Sequence, residues 1–395
     1  MRRMCEITSV GAETLYQRIG LIYERCRAFA AEREAPMLSG GLARERMHLA
    51  VDRQEHMLNS GTALDRRPSI LQAVASAEAY SGYILAQHLN FDPGADTFAL
   101  ELAAREAGDP DVPPPFRRYG RLWLPHERLE AADSPTDEPE ISTLPEYRPA
   151  SRGAQVHDNI SLAAHFQILE RCTRGAGHVQ FSMDREPGIE RVCLLTFAHR
   201  VRNGTLDAYL VRISKGFTQG QKRNALAAAA AVLAEERQRR SDVPEVELLL
   251  DLIEQRYRVA LRDIPRPRDR WVSHPFPTMN EPERALLCLT DTGARPMEQM
   301  RLGFARASLR SIDRYFMQVR RKIHLLERPI ASSSAAFRNY YGYNPYSAVV
   351  VMRVLEIFRV AYNYHLTGQK GSTPAQRLGL IDRACSLDEL LGAAA

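Results

Sequence analysis

The amino-acid sequence predicts an α/β fold in which a mixed β-sheet carries helices on its faces, with a helical segment before it and a helical insertion within it. Two observations lead to this prediction. Apolar runs with strand-like alternation follow one another early in the chain, and strands and helices then alternate. The composition agrees, since 45% of the 395 residues are hydrophobic and 26% are charged, as in a chain of two or three domains.

The N-terminal residues 1–40 are expected to be helical. A break at Thr8–Gly11 comes before a short amphipathic helix over Ala12–Ile19. A glycine-containing turn followed by such a helix is typical of the second half of a helix-turn-helix, which places its second helix in the major groove of DNA. An ordinary helical hairpin gives the same pattern, so both interpretations stay open.

Three strands come next and are predicted to pair as an antiparallel meander. They cover Met47–Val51, Ser69–Ala75 and Gly82–Phe91, and a helix over Asp96–Ala107 follows them. A stretch rich in proline and acidic residues then predicts a surface loop at 127–155, because such a composition offers little apolar surface to bury.

Strands and helices alternate after this loop, which predicts helices on the faces of a sheet. The predicted order is helix Ile160–Arg171, strand His178–Met183, helix Gly188–Val201 and strand Asp207–Ile213. Residues 45–214 are therefore expected to form the first part of the core.

A helical insertion and the second part of the core complete the chain. The insertion, at 215–295, has predicted helices over Gln219–Arg240 and Val243–Leu261 and an irregular stretch over Pro265–Thr292. Residues 296–380 contain one long helix at about Pro296–Leu326 and another at about Ala348–Leu366, and residues 381–395 form a tail.

Charge and cysteine content narrow the function classes. A net charge of +5 and a pI near 8.9 mildly favour an anionic partner. The six cysteines form no C-x-x-C pair, so neither a zinc ribbon nor a disulfide framework is indicated. The longest apolar run, Ala225–Leu233, is too short to cross a bilayer, and the first residues lack a signal-peptide core. We expect a cytoplasmic protein without a membrane partner.

Two aspartates directly follow hydrophobic strands. Asp52 comes after Met47–Val51, and Asp184 comes after His178–Met183. The first and fourth strands of a ribonuclease-H-like sheet are neighbours, so these carboxylates can share a divalent cation such as Mg²⁺, which prefers oxygen ligands. The alternative is that both aspartates only cap helices or begin turns.

The predicted long helix supplies a third acid and a row of cations. Basic residues recur at a spacing near four through Arg306, Arg310 and Arg314, continue to Arg320–Lys322, and flank Asp313. One acid flanked by such a stripe fits a helix that turns the acid toward a metal and the cations toward phosphates. A solvated face on which Asp313 forms weak surface ion pairs is the alternative.

Three segments resemble bacterial insertion-sequence transposases of the DDE type. Ser311–Lys322 followed by Leu325–Ile330 is similar to the helix that carries the third acid in that family. Leu355–His365 and Thr373–Gly379 resemble the end of its integrase-like domain. The resemblance implies a ribonuclease-H-like catalytic core that cleaves and transfers DNA strands at the ends of a mobile element.

Residue by residue, the resemblance makes Asp52, Asp184 and Asp313 the catalytic acids and the ligands of Mg²⁺ or Mn²⁺. Asp313 stands where the family usually has Glu, whose side chain is one methylene longer. Glu281 is a rival third acid, although the adjacent Pro282 allows a helix there only at its start.

The resemblance also implies DNA as the partner, both the ends of the element and its target, bound by a homo-oligomer. The residues expected to hold phosphates are Arg310, Arg314, Arg320, Arg321 and Lys322, with help from Arg328. Two alternatives stay open. One is a catalytically decayed or domesticated DNA-binding relative, and the other is a host nuclease with the same metal core.

Overall fold

A computed structural model describes most of the chain. The described residues are 2–59, 64–133, 139–150, 152–186, 188–214, 216–293, 295–327, 330–331, 339–340, 344–368 and 371–392. Arg328, expected to help hold phosphates, lies outside them.

Helices and strands alternate along the described chain. The strands are β1 (Arg44–Leu58), β2 (Ser69–Glu78), β3 (Ile84–Leu89), β4 (Phe91–Asp92), β5 (Ala154–Gln155), β6 (Ala176–Asp184), β7 (Leu206–Ile213), β8 (Val272–Ser273), β9 (Arg284–Cys288), β10 (Ile330–Ala331) and β11 (Asn339–Tyr340). The helices are α1 (Arg2–Thr8), α2 (Ala12–Gly40), α3 (Thr97–Glu106), α4 (Pro125–Asp133), α5 (Asp158–Thr173), α6 (Ile189–Thr196), α7 (Ala198–Arg202), α8 (Gln219–Arg239), α9 (Glu245–Asp263), α10 (Met297–Arg306), α11 (Arg310–Lys322), α12 (Ala348–Tyr364), α13 (Pro374–Leu378) and α14 (Leu387–Leu390).

Seven strands form one mixed sheet in the order β3-β2-β1-β6-β7-β9-β8. β6 pairs in parallel with β1 and with β7, whereas β2 with β3, β7 with β9 and β8 with β9 are antiparallel. The α/β class expected from the sequence is therefore confirmed. A mixed sheet with flanking helices is also compatible with the ribonuclease-H-like prediction.

The chain divides into two compact units. Unit 1 comprises Met1–Gly41, Arg53–Arg174 and Ile312–Ala395, and unit 2 comprises Leu42–Asp52 and Gly175–Ser311. Strand β1 contributes to both, since its residues up to Asp52 belong to unit 2 and the rest belong to unit 1.

In unit 2, the two faces of the sheet differ in polarity. On one face of β6, Val179, Phe181 and Met183 are fully buried, and Phe181 contacts Phe197 between α6 and α7 with 5.0 Å between ring centroids. On the other face, Gln180 donates to the Gly303 carbonyl of α10 at 3.0 Å. Because side chains alternate along a strand, this polar face also carries Asp184.

In unit 1, α5 and α12 pack against β3, and α2 packs against both of these helices. Arg359 on α12 is buried and donates to Glu34 on α2 at 2.8 Å. The sequence predicted helical structure over residues 1–40 with a short amphipathic helix at Ala12–Ile19, and α2 runs as one helix from Ala12 to Gly40. The C-terminal half of α2 persists because it buries Phe29 and Met37.

The predicted long helix at 296–326 is in fact two helices, α10 and α11. The hydroxyl of Ser308, between them, accepts the Arg310 N–H at 3.1 Å and donates to Glu281 at 2.8 Å. Ala307 and Leu309 on either side of Ser308 are buried. The helix therefore restarts at Arg310 because the side chain of Ser308 caps it and the flanking residues are anchored in the core.

Two segments expected to lack regular structure contain some. The irregular stretch at 265–292 includes β8 and β9, which are too short to show a clear alternation. The predicted loop at 127–155 begins within α4, where Glu127 is buried and pairs with Arg117 at 3.2 Å. Because the buried side of α4 is polar, its sequence does not show an apolar stripe.

The remaining long helices agree with the sequence, and α3, α5, α8, α9 and α12 lie within a few residues of their predicted bounds. The six cysteines, all among the described residues, form no disulfide. In the described part of the chain, no helix is both long and apolar enough for a membrane crossing.

Candidate metal centre

Three carboxylates in unit 2 converge where the central strand β6 ends beside its neighbour β1. Asp52, Asp184 and Glu186 each offer an oxygen, and these three oxygens lie within 4.8 Å of one another. All three residues are half-buried. Among the described residues, no other group of three or more acidic, histidine or cysteine side chains lies close enough together to hold a metal ion.

The pairing of β1 with β6 brings the two aspartates together. The strands are parallel, and Val51 lies opposite Met183, so the next residues, Asp52 and Asp184, are neighbours on the same face. Asp184 ends β6, as predicted. Asp52, however, lies in the interior of β1 because pairing carries this strand on to Leu58. The backbone of Asp52 is therefore held more rigidly than it would be at a strand end, where the sequence placed it.

Glu186 was missed by the sequence interpretation. After β6 ends, the Glu186 N–H donates to the Asp184 carbonyl at 2.9 Å, and the Arg185 N–H donates to the Asp184 carboxylate at 2.9 Å. The side chain of Arg185 lies over the Trp271 ring, 5.7 Å from its centroid. This tight turn aligns Glu186 with Asp184. The Asp-Arg-Glu run, with acids two residues apart after a strand, is the pattern that could have revealed it.

The donor set fits a hard divalent cation. All three side chains offer oxygen, which Mg²⁺, Mn²⁺ and Ca²⁺ prefer, and none offers the sulfur or imidazole nitrogen typical of zinc sites. Carboxylates this close repel each other unless a cation or proton lies between them. The arrangement can therefore bind a divalent cation that prefers oxygen ligands.

Asp207, another acid on the polar face of this sheet, has a different environment. It is buried on β7, pairs with Arg295, and accepts from Gln299 at 3.1 Å. The ring of His178 lies 3.3 Å from it, and burial, followed by nearby arginines, lowers the pKa of His178 to about 4. Asp207 is thus neutralised by arginine and has a structural role.

Glu281, the rival third acid, is also neutralised. It is buried, and its carboxylate accepts from Arg284 at 2.6 Å and from Ser308 at 2.8 Å. These contacts attach the turn before β9 to the segment between α10 and α11. Glu281 does not belong to the acidic group around Asp184.

Asp313, the third acid implied by the resemblance, lies half-buried in the first turn of α11. It is not in the group formed by Asp52, Asp184 and Glu186. Asp52, Asp184 and Glu186 belong to unit 2, whereas Asp313 belongs to unit 1, as do the residues of α11 from Ile312 onward. Its role in catalysis stays a prediction.

Helix α11 has the two faces predicted from its sequence. Its apolar side chains Ile312, Tyr315, Phe316 and Val319 are buried. The predicted phosphate-binding residues Arg310, Arg314, Arg321 and Lys322 are exposed, and Arg320 is half-buried. In unit 1, the Tyr315 hydroxyl donates to Gln87 at 2.6 Å and Gln54 donates to the Phe316 carbonyl at 3.4 Å. These contacts orient the cations of α11 outward.

Comparison of this chain with protein-family models, with curated proteins and with solved structures gives no match of any of the three kinds.

Proposed function

We propose that this chain is a metal-dependent DNA transposase of the DDE type, which cleaves and transfers strands at the ends of a mobile element. The observation that carries the proposal is the convergence of Asp52, Asp184 and Glu186 where the central strand β6 of a mixed α/β sheet ends beside β1. Oxygen-only sites of this kind serve phosphoryl transfer in nucleases and polymerases.

The three carboxylates contribute differently. Asp52 comes from a strand interior and Asp184 from a strand end, so both backbones are fixed by pairing. Glu186 comes from a turn and has the longer side chain, so it can adjust its oxygens as a ligand set is completed. When bound, a divalent cation would polarise a phosphoryl oxygen and activate the attacking hydroxyl.

DNA as the substrate is supported by the exposed basic face of α11. Arg310, Arg314, Arg321 and Lys322 carry four positive charges on one short helix. Such a surface attracts the phosphate backbone without reading the base sequence. The resemblance of α11 to the corresponding helix of the transposases is the reason to prefer a mobile-element end over other nucleic acids.

The test combines metal binding with strand cleavage. Mn²⁺ binding is measured by calorimetry, and nicking of DNA that carries the element's own ends is measured in Mg²⁺ or Mn²⁺. We expect Asp184→Asn and Glu186→Gln to lower both the metal affinity and the nicking rate at least 100-fold, on the order of losing one essential ligand. Glu190→Gln, which changes an exposed acid on α6, is the control and should resemble wild type.

The outcomes separate the candidates. Wild-type nicking by both Asp184→Asn and Glu186→Gln contradicts the proposed centre. Metal binding with no cleavage of any DNA favours a decayed relative, and cleavage that ignores the element ends favours a host nuclease. Asp313→Asn is assayed in parallel, and loss of nicking in this variant without unfolding would support its inferred place among the catalytic acids.

A further inference from the structure

A pocket of about 310 Å³ lies in unit 1 between α11, the end of α12 and α13. Its polar lining consists mainly of Arg314, Gln318, Lys322, Tyr362, His365 and Arg377. The first three follow one another at intervals of four residues, so they share one face of α11. The pocket is therefore built from one helical face and the chain segment that follows α12.

The lining is strongly cationic. It contains Arg314, Lys322 and Arg377, and no acidic residue among the described residues lines it. Arg314 and Lys322 are exposed and form no ion pair with another described residue. Three positive charges thus share a small concave space that has no protein carboxylate to balance them.

Arg377 is held in this position by neutral groups only. Its guanidinium donates to the Ser81 carbonyl at 2.8 Å and to the Ser372 carbonyl at 2.6 Å. Burial, together with the charge of Arg314, lowers the pKa of Arg377. The fold therefore keeps one cation close to another, an arrangement that an anion in the pocket would stabilise.

Neutral polar side chains complete the pocket. The Tyr362 ring is buried, and its hydroxyl has no hydrogen-bond partner among the described residues. The Gln318 amide lies between Arg314 and Lys322 on α11. His365 donates its Nδ1–H to the Cys385 carbonyl at 2.8 Å, which leaves Nε2 as its second polar atom.

We propose that this pocket binds one phosphate group of a DNA backbone. Arginine forks and an ammonium group match the several oxygens of a phosphate, and the pocket volume leaves room for an adjoining sugar. A polymer is favoured over a free nucleotide because Arg310 and Arg321 extend the positive surface of α11 outside the pocket. The identity of the polymer rests on the proposed function, whereas the phosphate contact rests on the pocket itself.

This proposal divides the predicted DNA-binding residues into two classes. Arg314 and Lys322 line the pocket, whereas Arg310, Arg320 and Arg321 do not. It also adds Arg377 and Tyr362, which the sequence did not single out. We expect the first class to fix the position of one phosphate and the second to contribute a more diffuse attraction.

Binding of a fluorescent DNA duplex to the full chain is measured in EDTA at several NaCl concentrations, so that no metal site contributes. Replacing one phosphate-binding cation, as in Arg314→Gln, Lys322→Gln or Arg377→Gln, should weaken binding about 8-fold at 0.1 M salt and lower the salt slope by about 0.9. Tyr362→Phe should weaken binding without changing the slope, because it removes a neutral donor.

Two controls accompany these variants. Arg105→Gln removes an exposed cation on α3, far along the chain from the pocket residues, and should leave both quantities unchanged. Arg314→Lys keeps the charge and should retain the wild-type slope. Because Arg377 also supports the fold, a melting curve is recorded, and the exposed Arg314 and Lys322 decide the outcome if Arg377→Gln unfolds.

The proposal is overturned if the pocket variants bind DNA like Arg105→Gln. It is also overturned if a nucleoside triphosphate binds tightly and loses affinity in the same variants while DNA binding does not change. Its failure is distinct from failure of the proposed function, because DNA binding is measured in EDTA, whereas cleavage is measured in Mg²⁺ or Mn²⁺. If the chain binds DNA through this pocket but never cleaves it, only the proposed transposase activity is refuted.

Discussion

At the scale of single residues, the surroundings of an acid decide what it can do. Glu281 and Asp207 are buried against arginines, which balance their charge and tie elements together. Asp52, Asp184 and Glu186 instead lie within 4.8 Å of one another. A sequence shows all five as acids beside strands or turns, and only the fold separates structural partners from candidate metal ligands.

Replacement of Glu281 tests this distinction. Glu281→Gln should lower the free energy of unfolding by about 3 kcal/mol, because it leaves Arg284 buried without a counter-charge. Urea denaturation measures the loss. Glu254→Gln, which breaks the more exposed pair with Arg258 on α9, should cost no more than about 0.5 kcal/mol.

The opposite result would restore Glu281 as a catalytic candidate. Abolished DNA nicking in Glu281→Gln with an unchanged unfolding midpoint would mean that its carboxylate acts on a metal or a substrate instead of on Arg284.

The sequence predicted those residues of the candidate metal centre that directly follow a clearly apolar strand. Asp52 and Asp184 were predicted because each follows an apolar run, and parallel pairing does bring them together. Glu186 was missed because its position depends on a tight turn that no periodicity reveals. Asp313 was chosen by resemblance to a helix, and nothing in the local pattern of α11 determines where that helix packs.

At the scale of elements, α10 lies unusually close to the sheet. A Cβ atom on Gly303 would overlap the hydroxyl of Tyr209 and lie 2.8 Å from its Cζ. Tyr209 is fully buried, so its ring has little space to move. Glycine therefore allows the Gly303 carbonyl to accept from Gln180 on β6.

We accordingly expect Gly303→Ala to destabilise the chain by about 1–3 kcal/mol, through overpacking that exceeds the gain in helix propensity. Thermal or urea unfolding measures the change. Tyr209→Phe in the same background should recover part of the loss, because it removes the nearest atom. Gly220→Ala on the exposed helix α8 is the control and should be neutral or slightly stabilising. An unchanged stability in Gly303→Ala would contradict the close approach.

Elements were predictable in proportion to their length and periodicity. α5, α9 and α12 carry apolar residues at helical spacing over four or more turns and appear near their predicted bounds. The five residues of β9 form a strand because β7 offers an edge to pair with, and the two residues of β8 pair in turn with β9. Such tertiary pairing leaves little trace in a short window of sequence.

At the scale of the whole molecule, the candidate centre should couple metal binding to stability. A cation that binds only the folded chain adds about 1.4 kcal/mol at ten times its dissociation constant. We therefore expect the unfolding midpoint to rise with Mg²⁺ or Mn²⁺ and to fall again when EDTA removes the metal. Asp184→Asn should lose this dependence, and a metal-induced shift of equal size in that variant would place the binding elsewhere.

The division into units could not be predicted from local patterns. Changes in composition suggest segments in chain order, whereas unit 1 is assembled from three separated pieces and unit 2 from two. The residues of β1 up to Asp52 belong to unit 2 and those after it belong to unit 1, although they form one continuous strand. Long-range contacts of this kind are a property of the folded chain alone.

The interleaved units set an order for folding during synthesis. Unit 2 has all its residues once Ser311 has left the ribosome, whereas unit 1 must wait for the segment from Ile312 onward, which carries α12. Unit 2 begins later in the chain than unit 1, but all of its residues are synthesised first. A premature stop codon shortly after Ser311 would spare the acidic cluster on β1 and β6 and leave helix α2 without α12, one of the helices it packs against.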